Sequence, residues 1–163
     1  MRTPDDATAV LYYISLTSHL KSGMKALDDT ASAVPLRSST GAAILVVDDE
    51  GAVRRFALRV LEREGYRVVE ARDGIEAFEL IRQGHDFDAV VSDIVMPRMN
   101  GVELMQALST TSPELPVILM SGYATGALAE LGINAPCAIL PKPFPAERLL
   151  QEVQRCTRRR ESA

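Results

Sequence analysis

The stretch AAILVVDDE (residues 42–50) decides how the rest of the chain is interpreted. Its apolar run is continuous and ends in three acids, which is typical of a strand that is buried on both faces and ends at a polar edge. Apolar residues then recur at helical spacing from Val53 to Leu61, which predicts a helix with one buried face. A buried strand followed directly by an amphipathic helix is the repeating unit of an α/β fold.

The same alternation continues to the end of the chain. Further strands are predicted over 66–71, 89–91, 117–120 and 138–140, and further helices over 73–83, 101–108, 124–131 and 146–153. Asp73 is placed to cap the second helix, and the second strand is the most polar, which suits the edge of a sheet. Five strands alternating with five helices predict a doubly wound parallel sheet of the α/β class.

Composition divides the chain into three parts. Residues 1–41 end in a stretch rich in Ser, Thr and Ala, so we expect a tail or linker with room for one short helix. The folded domain is expected over 42–156, followed by a basic tail over 157–163. Met24 offers an alternative start, and the few residues after Pro145 predict one helix and no output domain.

Charge and composition exclude several classes of protein. The 163 residues carry a net charge of −4 and 5% aromatic residues without Trp, which argues against direct binding of nucleic acid. No apolar run reaches the ~18 residues that span a bilayer. Cys137 and Cys156 match no metal spacing and no disulfide framework, so we expect unpaired thiols and a cytoplasmic protein.

Polar residues follow the predicted strands at the points where the strands end. Asp48 and Asp49 follow the first strand, Asp93 the third, Ser121 the fourth and Lys142 the fifth. The carboxyl ends of parallel strands line one edge of an open α/β sheet, where ligands bind. We therefore expect these five side chains to form one site.

The chemistry of these side chains indicates phosphoryl transfer. Three carboxylates repel one another, and Mg²⁺ with its preference for carboxylates, waters and phosphate oxygens would relieve that repulsion. An ammonium group and a hydroxyl suit the oxygens of a transferring phosphoryl group. Since neither Cys nor His lies at this edge, the nucleophile is a carboxylate that would form an aspartyl phosphate. These considerations leave open which aspartate is attacked.

Four motifs resemble those of one known family, in the same order and spacing. They are VVDDE (46–50), SDIVMPRMNG (92–101), MSG (120–122) and KPF (142–144). Over 42–156 the chain resembles the response-regulator receiver domain of two-component systems, and is most similar to receivers attached to hybrid histidine kinases. The resemblance implies a flavodoxin-like sheet with strand order 2-1-3-4-5.

The resemblance also assigns roles. It implies that Asp93 is the phosphoacceptor, that Ser121 hydrogen-bonds the phosphoryl group and that Lys142 pairs with it. The Mg²⁺ ligands would be Asp48, Asp49, Asp93 and the backbone carbonyl of Val95. Gly122 would leave room for the donor, and the Lys142–Pro143 bond would be cis.

One position departs from the family pattern. The switch aromatic usually lies three residues before the lysine, where this chain has Ile139. Tyr123 lies close to the site in sequence, but we expect it to cover the site rather than act as the switch. Phosphorylation is expected to be intact, whereas the coupling to output is expected to differ.

The predicted function is a stand-alone receiver that is not an enzyme beyond self-phosphorylation and slow autodephosphorylation. Its partners would be a histidine kinase or histidine phosphotransfer protein, and a downstream protein bound through the predicted helix 124–131, the fifth strand and the last helix. We expect no nucleic acid, no membrane, and a monomer or weak dimer. His19 and His85 are not assigned a role in phosphotransfer.

Two alternatives remain open. A haloacid-dehalogenase-type phosphatase also uses an aspartate and Mg²⁺, but it requires an Asp-x-Asp pair where this chain has adjacent Asp48 and Asp49. A receiver-shaped adaptor would bind its partner without phosphate, although it would have no need of the five site residues.

Overall fold

The computed structural model describes residues 41–122 and 136–161. The strands are β1 (Ala43–Val47), β2 (Arg67–Ala71), β3 (Ala89–Asp93), β4 (Val117–Ser121) and β5 (Ala138–Pro141). The helices are α1 (Gly51–Arg63), α2 (Gly74–Arg82), α3 (Gly101–Thr111) and α4 (Ala146–Glu161). The predicted helix over 124–131, Tyr123 and the N-terminal residues 1–40 lie outside the described residues.

The five strands form one parallel sheet in the order β2-β1-β3-β4-β5. The predicted fold class and strand order are therefore confirmed. The polar strand β2 lies at one edge, as its composition indicated, while β1 is buried along its whole length near the centre. Asp73 caps α2 as predicted, since its Oδ1 accepts hydrogen bonds from the backbone N–H groups of Ile75 and Glu76.

The alternation of side chains along the strands creates two apolar layers. On one face, Ile44 and Val46 of β1 belong to a core that includes Leu61 of α1 and Leu149 of α4. On the other face, Leu45 and Val47 belong to a core that includes Ala77 of α2 and Leu104 of α3. Helices cover both faces, so the polar groups at the carboxyl ends of the strands are held on a rigid support.

The last helix is longer than predicted. It continues to Glu161, beyond the residues 146–153 over which the apolar spacing predicts it. The reason is that Thr157 is buried, and its hydroxyl donates a hydrogen bond to the carbonyl of Val153 one turn earlier. Thr157 can therefore lie on the packed face of α4, because its hydroxyl is hydrogen-bonded to a backbone carbonyl of the same helix.

The expectation of unpaired cysteines is wrong. Cys137, just before β5, forms a disulfide with Cys156 in α4. The two residues are separated by 19 positions, but the packing of α4 on the sheet places their Cα atoms 6.0 Å apart, within the range that a disulfide spans. The spacing of the cysteines along the chain held no signal of this pairing, because the contact arises only after α4 docks.

No helix in the described part of the chain has the length and apolar character needed to cross a bilayer.

Candidate functional site

Strand register brings the polar strand-end residues to one edge of the sheet. Asp93 is the last residue of β3 and lies opposite Met120 of β4, while Ser121 ends β4 and lies opposite Pro141 of β5. Lys142 follows directly, and its backbone N–H donates a hydrogen bond of 2.6 Å to the carbonyl of Ser121. The predicted site residues on these three strands are therefore neighbours in space.

Asp48, which follows β1, is the most deeply buried polar side chain of the site. It is fully buried, and its Oδ1 accepts a hydrogen bond of 2.8 Å from the backbone N–H of Glu50. Its Oδ2 lies 2.8 Å from Lys142 Nζ. Both oxygens are therefore held in place before any ligand arrives. Asp49, the next residue, is exposed.

Lys142 connects two carboxylates that belong to different strands. Its Nζ lies 2.8 Å from Asp48 Oδ2 and 2.9 Å from Asp93 Oδ1. The lysine side chain is mostly buried, so this pairing is weakly screened by solvent. One ammonium group thus partly balances two acids across the centre of the site.

Burial and charge shift the proton affinities of this pair. Burial raises the pKa of Asp48 to about 6, although Lys142 acts in the opposite direction. Burial alone would lower the pKa of Lys142, but attraction to Asp48 and hydrogen bonds to Asp48 and Asp93 outweigh it and raise that pKa. Lys142 therefore remains a cation, and Asp48 holds its negative charge at a cost.

The three aspartates could hold a metal ion. Asp48, Asp49 and Asp93 each offer a carboxylate oxygen, and these oxygens lie within 4.8 Å of one another. Three carboxylate oxygens this close to one another fit a hard cation such as Mg²⁺, which keeps several waters. A single lysine does not balance three acids, so the charge of the site also favours a cation.

The loop after β3 is held tightly where it returns to α3. The backbone N–H of Gly101 donates to the carbonyl of Ile94 at 3.0 Å, and a Cβ at Gly101 would lie 2.1 Å from the carbonyl oxygen of Asp93. Only glycine allows this approach. Val95 lies in this loop with an exposed side chain, 60% accessible to solvent. The metal-ligand role of its carbonyl remains a prediction.

Sequence reasoning missed a contact that fixes the far side of this loop. Arg98 adopts a left-handed conformation with φ 67° and forms an ion pair with Asp73, whose side chain is buried. Next to it, the N–H of Gly74 donates to the carbonyl of Met99 at 3.1 Å, and a Cβ at Gly74 would clash with that residue. Asp73 therefore caps α2 and anchors the loop. A non-glycine residue at a strained turn had no visible signal in the sequence.

Arg54 is a second residue that the sequence did not single out. From the first turns of α1, its Nη1 donates a hydrogen bond of 2.6 Å to the backbone carbonyl of Asp48. Its Nε lies 3.3 Å from Glu70 on β2. The guanidinium group thus braces the turn that carries Asp48 and Asp49. The Lys142–Pro143 bond is cis, as the family resemblance implied.

Comparison with known proteins identifies the class of this domain. Residues 44–154, well over half of the chain, match the family described as the response regulator receiver domain. The chain belongs to this family.

The relatives include a sensor kinase and a response regulator. The chain is 43% identical to the sensor kinase CckA of Brucella abortus (strain 2308) over 118 residues, which is 71% of this chain and 12% of that protein. It is 40% identical to the response regulator MprA of Mycobacterium sp. (strain KMS) over 117 residues, which is 71% of this chain and 50% of MprA. The chain thus spans half or less of the length of these relatives.

A solved structure shows the same fold with a bound metal. The response regulator TrrA of Thermotoga maritima, in complex with Mg²⁺ and BeF, is 30% identical with a TM-score of 0.65, covering 71% of this chain and 98% of that one. The resemblance to receivers attached to hybrid kinases fits the match to CckA, while such an attachment in this protein is not established.

Proposed function

We propose that this protein accepts a phosphoryl group on Asp93 and passes the signal to a protein partner as a stand-alone receiver with its domain over 42–156. The observation that carries the proposal is the position of Lys142 Nζ, 2.9 Å from Asp93 Oδ1 and 2.8 Å from Asp48 Oδ2. Among the three aspartates, Asp93 lies at the end of a central strand, and its side chain keeps some access to solvent. It can therefore meet a donor from outside, whereas fully buried Asp48 cannot.

Each residue of the site has a task in this reaction. A carboxylate oxygen of Asp93 attacks the phosphorus of the donor, and the donor's leaving group departs with its electron pair. Lys142 then pairs with the oxygens of the new phosphoryl group, which carry the added negative charge. The Ser121 hydroxyl donates a hydrogen bond to the same group. The protein acts as a phosphoacceptor that also loses its phosphate slowly to water, rather than as an enzyme with a separate substrate.

Mg²⁺ would be held by Asp48, Asp49, Asp93 and the carbonyl of Val95, and when bound it supplies positive charge to the phosphoryl oxygens. The support on the protein side is the rigid placement of these groups. Asp48 is oriented by the N–H of Glu50, and the loop of Val95 is anchored at Gly101. Asp48 and the loop of Val95 therefore need little rearrangement to bind the ion.

The partners follow from the chemistry of an aspartyl phosphate. The donor would be a phosphohistidine of a histidine kinase or of a histidine phosphotransfer protein. The downstream partner would be a protein that binds β5 and α4; the further contact predicted at residues 124–131 lies outside the described residues. Membranes and nucleic acids are not proposed as partners, and the location proposed is the cytoplasm, with a monomer or weak dimer in solution.

Intact-mass spectrometry after incubation with Mg²⁺ and acetyl phosphate tests the chemical step. We expect a mass gain of one phosphoryl group in the wild type, none in Asp93→Asn, and an unchanged gain in Asp86→Asn, a matched control at an exposed position before β3, at the other end of that strand from Asp93. A gain that survives Asp93→Asn, or that is complete in excess EDTA, would contradict the proposal.

A second experiment tests the signalling role. Proteins that co-purify with the chain from its source cells are compared between wild type treated with beryllofluoride and Mg²⁺ and Asp93→Asn treated in the same way. We expect at least one partner to be enriched only with the wild type. An identical set of partners in both samples would favour the phosphate-independent adaptor.

A further inference from the structure

We propose that Cys137 and Cys156 form a reversible thiol–disulfide exchange site that controls how firmly the C-terminal half of α4 is held to the sheet. The substrate class is a dithiol reductant, and the reverse reaction takes a disulfide oxidant. This site is distinct from the strand-end aspartates and does not depend on the function proposed for them.

The disulfide joins the segment before β5 to the buried face of α4. Cys137 precedes β5, and its N–H donates a hydrogen bond of 2.8 Å to the carbonyl of Val117 on β4. Cys156 lies on the buried face of α4, in the same apolar core as Leu149 and Val153. The bond therefore ties the last turns of α4 to the beginning of β5, at the opposite end of that strand from Lys142.

The two cysteines differ in how much of the residue is exposed to solvent. Cys137 is partly exposed, whereas Cys156 is fully buried. A reductant can therefore approach Cys137 and not its partner. Arg155 holds this segment in place, since its Nη2 donates a hydrogen bond of 2.6 Å to the carbonyl of Cys137 while its Nε pairs with Glu152 at 2.9 Å.

Reduction of the disulfide takes two exchange steps. A thiolate of the dithiol attacks Sγ of Cys137, the S–S bond breaks, and its electron pair leaves on Sγ of Cys156, which takes up a proton. The second thiolate of the reductant then attacks its own sulfur in the mixed disulfide and releases Cys137 as a thiolate, which is protonated in turn. The reductant ends as a disulfide, having supplied two electrons and two protons.

Reduction should loosen α4 without altering the phosphorylation site. A cross-link over 19 positions stabilises the fold chiefly by restricting the unfolded chain. The apolar contacts of Leu149 and Val153 remain after reduction, so we expect α4 to stay docked but to open more often beyond Val153. Lys142 lies five positions along the chain, roughly 16 Å at the rise of a strand, and its ion pairs do not involve the cysteines.

Alkylation of the native full chain in buffers of varied glutathione ratio tests the exchange. We expect either no alkyl groups or two on the wild type, with the ratio deciding which, and rapid opening by dithiothreitol without denaturant. The control Cys137→Ser retains one buried thiol and forms no internal disulfide. Two free thiols even in oxidised glutathione alone would overturn the proposal. So would a bond that dithiothreitol opens only in urea.

Melting temperature and hydrogen exchange test the structural consequence. We expect reduction to lower the melting temperature of the wild type by about 10 °C and to speed amide exchange beyond Val153. In Cys137→Ser, dithiothreitol should change neither quantity, and the yield of phosphorylation at Asp93 should be equal in both redox states. If oxidised and reduced wild type have the same melting temperature and the same rate of amide exchange beyond Val153, the proposal that this pair controls α4 is wrong.

Discussion

Lys142 Nζ lies 2.8 Å from Asp48 Oδ2, although the two residues are 94 positions apart in the chain. The contact exists because the first and last strands of the predicted pattern both end at one edge of a parallel sheet. It places a cation between a fully buried carboxylate and Asp93. The charge balance of the whole site depends on this pair.

The pH dependence of stability should reveal the cost of ionising Asp48. Burial raises its pKa from 3.8 to about 6, so between these values the folded protein holds a proton that the unfolded chain has lost. Stability from this group is therefore greatest at low pH and falls as the pH rises through that window. We expect the free energy of unfolding in EDTA, taken relative to Asp48→Asn, to fall by about 2 kcal/mol between pH 4 and 7.

Urea denaturation of both proteins in EDTA across this pH range measures the difference. Asp48→Asn keeps an acceptor for the N–H of Glu50 but does not titrate, so other groups cancel in the comparison. A difference that stays constant, or that grows with pH, would contradict the assigned role of burial.

Mg²⁺ should stabilise the fold through the cluster of three acids. A ligand that binds only the native state adds about 2.7 kcal/mol at a hundredfold excess over Kd. We expect a rise in melting temperature of about 10 °C for the wild type, most of which Asp49→Ala should lose. Glu114→Ala, an exposed acid before β4 at the opposite edge of the sheet, is the matched control and should retain the full rise. An equal rise in Asp49→Ala would place the metal elsewhere.

Removing the contacts that anchor the loop after β3 should lower the free energy of unfolding. Asp73→Ala removes both the cap of α2 and the ion pair with Arg98, and we expect a loss of about 2 kcal/mol in the free energy of unfolding. Asp73→Asn keeps an acceptor oxygen for the cap and should lose less. Arg98→Gly gives up the ion pair but relieves the left-handed backbone, so it should be close to neutral. An Arg98→Gly protein as unstable as Asp73→Ala would show that the ion pair dominates.

Ile139 should limit the response to phosphorylation. An aromatic switch residue turns its ring from a solvent-facing position to a buried one. Ile has a restricted χ1 angle and neither a ring nor a hydroxyl, so it cannot make this change. With beryllofluoride and Mg²⁺ we expect small changes in hydrogen exchange, centred on residues 121–125, and weak or no dimerisation by light scattering. Strong protection centred on Ile139 together with a shift to dimer would show that the position still acts as a switch.

Local pattern predicted the sheet well because each element carries its own signal. The unbroken apolar run of β1 and the polar character of β2 reflect central and edge positions, and Asp73 is a cap that is visible in sequence. The carboxyl ends of parallel strands lie at one edge of the sheet, so the sequence also predicted that Asp93 and Lys142 lie in one site.

The features that sequence missed depend on docking, turn conformation and burial, which the local pattern of residues does not report. The disulfide of Cys137 and Cys156 forms only after α4 docks on the sheet. The ion pair of Arg98 with Asp73 requires a turn whose conformation no sequence motif predicts. Likewise the extension of α4 to Glu161 depends on a buried Thr157 whose hydroxyl the helix satisfies. Periodicity alone treats such polar residues as the end of a helix.

The identity of the phosphorylated residue is tested most directly by chemical trapping. Borohydride reduces an aspartyl phosphate to homoserine, so the protein is incubated with acetyl phosphate and Mg²⁺, treated with borohydride, digested and sequenced by tandem mass spectrometry. We expect homoserine at position 93 alone, and none when EDTA is present during phosphorylation. Homoserine at position 48 or 49, or a phosphoryl group on serine or histidine with position 93 unchanged, would contradict the assignment of Asp93 as the phosphoacceptor.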